Sequence, residues 1–153
     1  MTTDEKTGPR DTEGRLRGLT KEASKFPVRD GEQPWTGKEL GAVVHDLVAA
    51  SSRLATELGQ ADKSLSELLR NSGDGAGDDQ ADSGSSALER EHELSMINNL
   101  RALAAQNARA IERLEDGTYG QCENCGNAIG KARLMAFPRA TLCVACKQRE
   151  ERR

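Results

Sequence analysis

Four cysteines, the only ones in the chain, stand in two pairs, Cys122-x-x-Cys125 and Cys143-x-x-Cys146, with 17 residues between the pairs. Zinc takes four soft donors at tetrahedral corners, with Zn–S of about 2.3 Å. Two intervening residues let a tight turn aim both thiolates of a pair at one point, and the loop between the pairs brings back the other two. Gly126 directly follows the first pair, where a knuckle turn favours a residue without a Cβ. Four thiolates leave no open coordination position, so Cys122, Cys125, Cys143 and Cys146 predict one structural zinc rather than a catalytic one. Disulfides would need an oxidising compartment, and the paired spacing favours zinc over an iron–sulfur cluster. His45 and His92 lie far away in sequence and read as surface or seam residues rather than ligands. An inert site is the simpler reading; oxidation that released the zinc, and so loosened the module, is the sensor alternative. The chain shows no Ser/His/Asp grouping, no phosphate-cradling Gly loop before a helix and no open metal site, which points to a non-enzyme.

The cysteine segment is basic, with Lys131, Arg133, Arg139, Lys147, Arg149, Arg152 and Arg153. These cations suit either a phosphate-binding patch or a solvated surface on a clamp that knits together the base of a hairpin. No recognition helix with base-reading side chains is evident, which favours the clamp.

The elements that must position the cysteines are helices. Thr36 and Glu39 fit a capping box, and Trp35 with Leu40 fits a hydrophobic staple. From there a seam runs through Leu40, Val44, Leu47, Ser51, Leu54, Leu58, Ala61, Leu65 and Leu68. Its steps alternate four and three, the heptad pattern of a coiled coil. Asn71-Ser72-Gly73 predicts a stop near Arg70. A second capping box, Ser86 to Glu89, predicts the start of helix two. The stripe of that helix is Met96, Leu100, Leu103, Asn107, Ala110 and Leu114, widened by Ile97, Ala104 and Ile111. Asp116-Gly117 ends it. Its first turns, Glu89 to Glu93, are poor in apolar residues and predict loose packing. Two helices of about 30–35 residues, each some 45–50 Å long, predict an antiparallel coiled-coil hairpin over 35–116. Two helices of a compact bundle are the alternative. Residues 117–153 form the zinc module, with a short C-terminal helix.

The predicted tip loop, 71–86, carries Asp74, Asp78, Asp79 and Asp82 and no basic residue, with Gly73, Gly75, Gly77 and Gly84. Glu89, Glu91 and Glu93 extend the acidity. Carboxylates suit Mg²⁺ or Arg and Lys partners; a solvated loop is the plainer reading.

Composition sets the outer bounds. Of 153 residues, 3 % are aromatic and 31 % charged, which suits long helices joined along a narrow seam better than a broad core. A formal net charge of −3 argues against binding duplex DNA mainly through phosphates. Residues 1–34 are polar and rich in Gly and Pro, and predict a disordered tail, with a short helix around Leu16 to Lys25 or docking on a partner as alternatives. The N-terminus shows no apolar leader and no later stretch approaches a membrane span, so a cytoplasmic protein is expected.

The run Gly117-Thr118-Tyr119-Gly120-x-Cys122-x-x-Cys125-Gly126-x-x-Ile129-Gly130, with Arg133-Leu134-x-Ala136-x-Pro138 and Cys143-x-x-Cys146-Lys147, resembles the DksA/TraR family of C4-type zinc-finger transcription regulators. Upstream, Glu89 to Leu94 and Asp79-x-x-Asp82-x-Gly84 fit the same family. The resemblance implies direct binding to RNA polymerase without a DNA site. It implies a coiled coil that enters the secondary channel and a tip that approaches the active centre. The family's tip motif is Asp-x-x-Asp-x-Ala, matched here by Asp79, Asp82 and Gly84. In the branch of the family that responds to the alarmone ppGpp, cations serve on helix two and near the finger. The matching positions are Gln106, Phe137 and Lys147, of which Lys147 alone keeps its charge. Weak or absent alarmone synergy is therefore expected.

Three other functions stand beside this one: a transcript-cleavage factor whose tip carboxylates help hold a second Mg²⁺, a DNA-binding zinc protein, and a plain dimerising coiled coil. A hairpin that satisfies its own seam should be a monomer.

Overall fold

The computed structural model describes the backbone of residues 9–73 and 80–153, and side chains over 12–71 and from 84 onward. The fold is mainly α. Helix α1 spans Pro9–Leu19 and runs into a 3₁₀ segment, Thr20–Lys25; α2 spans Gly37–Gly73, α3 Gln80–Asp116, α4 Lys131–Ala136 and α5 Val144–Glu151. The described residues hold no strand, only an isolated bridge between Gln121 and Ala128. None of the described helices is long and apolar enough to cross a membrane.

The start of α2 follows its sequence signals. Glu39 N–H donates to Thr36 Oγ1 and Thr36 N–H donates to Glu39 Oε1, each at 3.1 Å, which closes the capping box. Trp35 and Leu40 on either side are both buried, as a staple requires. Beside the start of α2, α3 stops in a Schellman motif. Thr118 N–H reaches back to Arg113 O at 2.9 Å and Gly117 N–H to Leu114 O at 3.3 Å, with Gly117 at φ +79°.

Two compact units emerge, one from residues up to Ser51 with Gln106–Arg153, the other from Ser52–Ala105. In the first, Leu40, Val43, Val44 and Leu47 of α2 and Ala110 and Leu114 of α3 share a buried cluster. Asn107 of α3 reaches Leu47 and Ser51 there. In the second, Arg101 pairs with Asp62 at 3.7 Å, and Ser64, Leu68, Leu88 and Glu93 line one groove. In both units positions rise along α2 as they fall along α3, the antiparallel pairing the heptads predict. The second unit is thinly packed. Among its described residues only Leu54, Ala61 and Ile97 are buried, while Leu88 and Leu94 are exposed. Ile97, rather than Met96, turns into the seam.

Three expectations need correction. Helix α3 begins at Gln80, not at Ser86, so the Ser86–Glu89 box lies inside a helix and caps nothing. Helix α2 likewise runs past Arg70 to Gly73. A paired helix keeps propagating while each added residue gains a hydrogen bond, and polar residues do not stop it. Gly84 is thus a helical, exposed position, where glycine costs about 1 kcal/mol relative to alanine.

The third correction concerns the tail expected over 1–34. Residues 1–8 lie outside the described residues, but Leu16, Ala23 and Phe26 are buried in the same cluster as Trp35, with Leu19 packed against it. Leu16 and Leu19 lie on α1, Ala23 in the 3₁₀ segment, and Phe26 at the extended residue that ends it. Burial of these side chains supplies the stability that Gly14 and Gly18 withhold. Gly37 comes so close to this segment that a Cβ there would lie 3.1 Å from Thr20 O.

Candidate metal centre

The first cysteine pair sits on a knuckle between α3 and α4. Gly126 N–H donates to Cys122 O at 3.0 Å and Cys122 N–H to Asn127 O at 2.7 Å. Gly126 takes φ +77°, a conformation that an L side chain resists. The second pair opens α5. Cys143 is its N-cap, Cys146 lies in its first turn, and Lys147 N–H closes that turn on Cys143 O at 2.9 Å. Glu123 N–H to Thr141 O, 2.9 Å, ties one knuckle to the other.

The four sulfur atoms all lie within 4.8 Å of one another, and Cys125 Sγ and Cys143 Sγ are 3.7 Å apart. A tetrahedron with Zn–S bonds of about 2.3 Å has an S···S edge of about 3.8 Å, so the cage has the dimensions of one zinc ion. Among the described residues no other His, Cys, Asp or Glu cluster could hold a metal. Cys122 and Cys146 are buried, Cys143 is half-buried and Cys125 is exposed.

The electrostatics call for a cation. Burial opposes ionisation of Cys122, but backbone N–H groups of Cys125, Cys143 and Asn124 point at its sulfur and bring its pKa down to about 6. At Cys146 the Asn124 amide, 3.3 Å from the sulfur, favours the thiolate. Cys143, burial, Cys122 and Cys125 outweigh it and raise the pKa to about 11. Four thiolates this close cannot all ionise unaided; a divalent ion supplies the missing charge.

Residues 117–152 match the model of the prokaryotic dksA/traR C4-type zinc finger. They belong to that family. The DksA/TraR finger here therefore takes one structural zinc on Cys122, Cys125, Cys143 and Cys146. Among curated proteins, the chain is 45 % identical over 75 residues to an RNA polymerase-binding transcription factor DksA of Caulobacter vibrioides, a match covering 49 % of this chain and 53 % of that protein. It is 40 % identical over 63 residues to the protein of the same name in Escherichia coli K12, covering 40 % of this chain and 42 % of that one. The chain thus aligns with about half the length, or less, of these relatives. A solved structure of transcription factor DksA2 from Pseudomonas aeruginosa shares the fold, with a TM-score of 0.57 over 92 % of this chain and 84 % of that one at 24 % identity.

What holds the DksA/TraR finger to its surroundings was only partly visible in the sequence. Arg113, on the last turn of α3, donates to Glu123, Thr118 O and Gln121 O, and Arg109 also donates to Glu123. Lys131, first residue of α4, sends its ammonium to Gln33 O, Pro34 O and Glu39. That ammonium lies 5.7 Å from the centre of the Trp35 ring, and Lys131 N–H donates to Glu32. Arg133 donates to Leu142 O and lies over the Phe137 ring. Lys131 and Arg133, grouped by sequence with a phosphate patch, are thus engaged inside the first unit, as in a clamp.

Close backbone approach adds to this. A Cβ on Gly120 would lie 3.2 Å from Pro27 O, and one on Gly130 would lie 3.0 Å from Arg29 Cδ. Both glycines also have positive φ, so only glycine lets the 26–34 segment lie against the finger without strain.

Asp79 lies outside the described residues. Asp82 falls on the first turn of α3, where only the backbone is described. Gln106 and Phe137 are exposed, and Lys147 is exposed and paired with Glu150 on its own helix at 3.1 Å. His45 and His92 are exposed and take no part in the metal cluster.

Lys131 gives a pH-dependent prediction. Its hydrogen bond holds the Glu39 carboxyl below the ordinary glutamate pKa. A carboxyl depressed in the folded state stabilises it above the unfolded pKa, and that stability is lost as pH falls through the folded value. Lys131→Met should lower stability at pH 7 and leave a shallower fall in stability on acidification below the glutamate range. Urea titrations at several pH values check both effects.

Proposed function

We propose that this chain is a transcription regulator that binds RNA polymerase directly and inserts the α2/α3 tip into the secondary channel to modulate initiation. One observation carries the proposal: a DksA/TraR finger occurs in the same chain as two antiparallel helices of 37 residues each, joined through a stretch holding Asp74, Asp78 and Asp79, with Asp82 in the first turn of the second helix. The relatives' names point the same way, since both are RNA polymerase-binding transcription factors. In this proposal Asp79 and Asp82 are the carboxylates that act near the active centre, and Gly84 lowers the helical order of the turn behind them. The protein works as a cytoplasmic monomer, is not an enzyme, and needs no DNA sequence of its own. Lys147 is the one cation retained of the alarmone set, so response to ppGpp is weak.

In vitro transcription with the cognate polymerase tests the proposal. The native protein should change promoter output, whereas Asp79→Asn/Asp82→Asn should bind polymerase equally well and leave output at the level without factor. Absence of polymerase binding by the native chain would end this reading and leave the zinc site standing. Cleavage of RNA in backtracked complexes, abolished by the same double variant, would move the assignment to a transcript-cleavage factor.

A further inference from the structure

Asn107 is the one buried polar side chain among the described residues, 1 % exposed in the seam between α2 and α3. Its Nδ2 donates to Leu47 O at 2.9 Å and to Ser51 Oγ at 2.7 Å, while its Oδ1 is buried without a partner. Such a group costs stability, because a leucine, which branches at the same carbon, would bury apolar surface with no orphaned oxygen. Ser51 would not be left wanting, since a helical serine can turn its hydroxyl to the carbonyl four residues back.

The α2 seam does not by itself choose a register. Positions seven apart read Leu40, Leu47, Leu54, Ala61 and Leu68 along one line, and Val44, Ser51, Leu58 and Leu65 along the other. Sliding α3 by one heptad trades one aliphatic contact for another. It does not do so for Asn107. A slip in either direction sets Val44 or Leu58 where Ser51 now stands, and the amide faces a methyl group instead of a hydroxyl. The second unit adds little discrimination, given its three buried side chains among the described residues.

We infer that Asn107 and Ser51 form a register lock, a polar layer that lowers the stability of the hairpin and selects one pairing of α2 with α3. Register matters for a hairpin that presents its tip, because a slip changes which residues reach the turn. A single buried polar residue is known to set pairing in coiled coils by this penalty on misalignment.

The test uses the zinc-loaded full chain and two variants, read by thermal melting and by the number of amide resonance sets in two-dimensional NMR. Asn107→Leu should raise the melting temperature by roughly 3–8 °C and yield a second set of α2 and α3 resonances or a dimeric species. Leu58→Ser, which offers Asn107 a second hydroxyl one heptad along, should yield a second set with Asn107 intact. A single native-like set in both variants would overturn the inference, whatever the melting temperatures. If Asn107→Leu fails to fold, its stability premise is overturned, and a single set for Leu58→Ser would dispose of the register role as well.

Discussion

Cys146→Ser should reduce bound zinc from one ion per chain to a trace after dialysis against a mild chelator, and the finger should unfold with it. Zinc-finger peptides gain about 10–16 kcal/mol from metal near pH 7, more than a segment this small can replace. The site's construction makes the loss cooperative. Cys146 lies on α5, Cys122 on the knuckle after α3, and both are buried in the cluster that holds Trp35 and Tyr119. The sole tryptophan, 2 % exposed, has its ring centre 6.4 Å from that of Tyr119. Its fluorescence should shift to the red as the ring becomes solvated. Acid should act like the mutation, because four thiols must lose protons to bind the metal, so zinc affinity falls as pH falls. Unchanged tryptophan emission in a zinc-free sample would show that the cluster stands without the metal.

Trp35→Ala should destabilise the first unit by about 3–5 kcal/mol, the largest effect expected of any substitution outside the cysteines. Trp35 is the staple residue of α2, contacts the Tyr119 ring, lies beneath the Lys131 ammonium and donates its indole N–H to Pro27 O at 3.3 Å. Removing it takes a partner from three chain segments at once. Trp35→Phe keeps most of the ring and loses the N–H, and should cost about 1–2 kcal/mol. Urea unfolding followed by circular dichroism separates the two. A loss below 1 kcal/mol for Trp35→Ala would mean that α1 or the finger closes over the gap.

The zinc ligands were legible because metal geometry permits few spacings, and α2 because its caps and seam agree. The start of α3 was not legible. Ser86 carries the local chemistry of a cap, but α3 starts six residues earlier, at Gln80, where the sequence offers no capping box. The packing of the N-terminal segment was not legible, because its polar composition hides four apolar residues, Leu16, Leu19, Ala23 and Phe26, that only tertiary burial rewards. Nothing in the sequence marks Arg113, and Lys131 stands there only in a basic set that suits a phosphate patch or a solvated surface. Their roles depend on carbonyls whose directions the fold sets, and residue type does not disclose them.

The bonds from Lys131 to Glu32, Gln33, Pro34 and Glu39 span 92–99 residues of sequence. At a synthesis rate of about 5–20 residues per second, Trp35 is joined to the chain some 5–20 s before Lys131. Throughout that interval Leu16, Phe26, Trp35 and the first turns of α2 have no finger to cover them. The cluster that Leu16, Phe26 and Trp35 share with the finger therefore cannot close until the finger has been made, and the protein reaches its native form late.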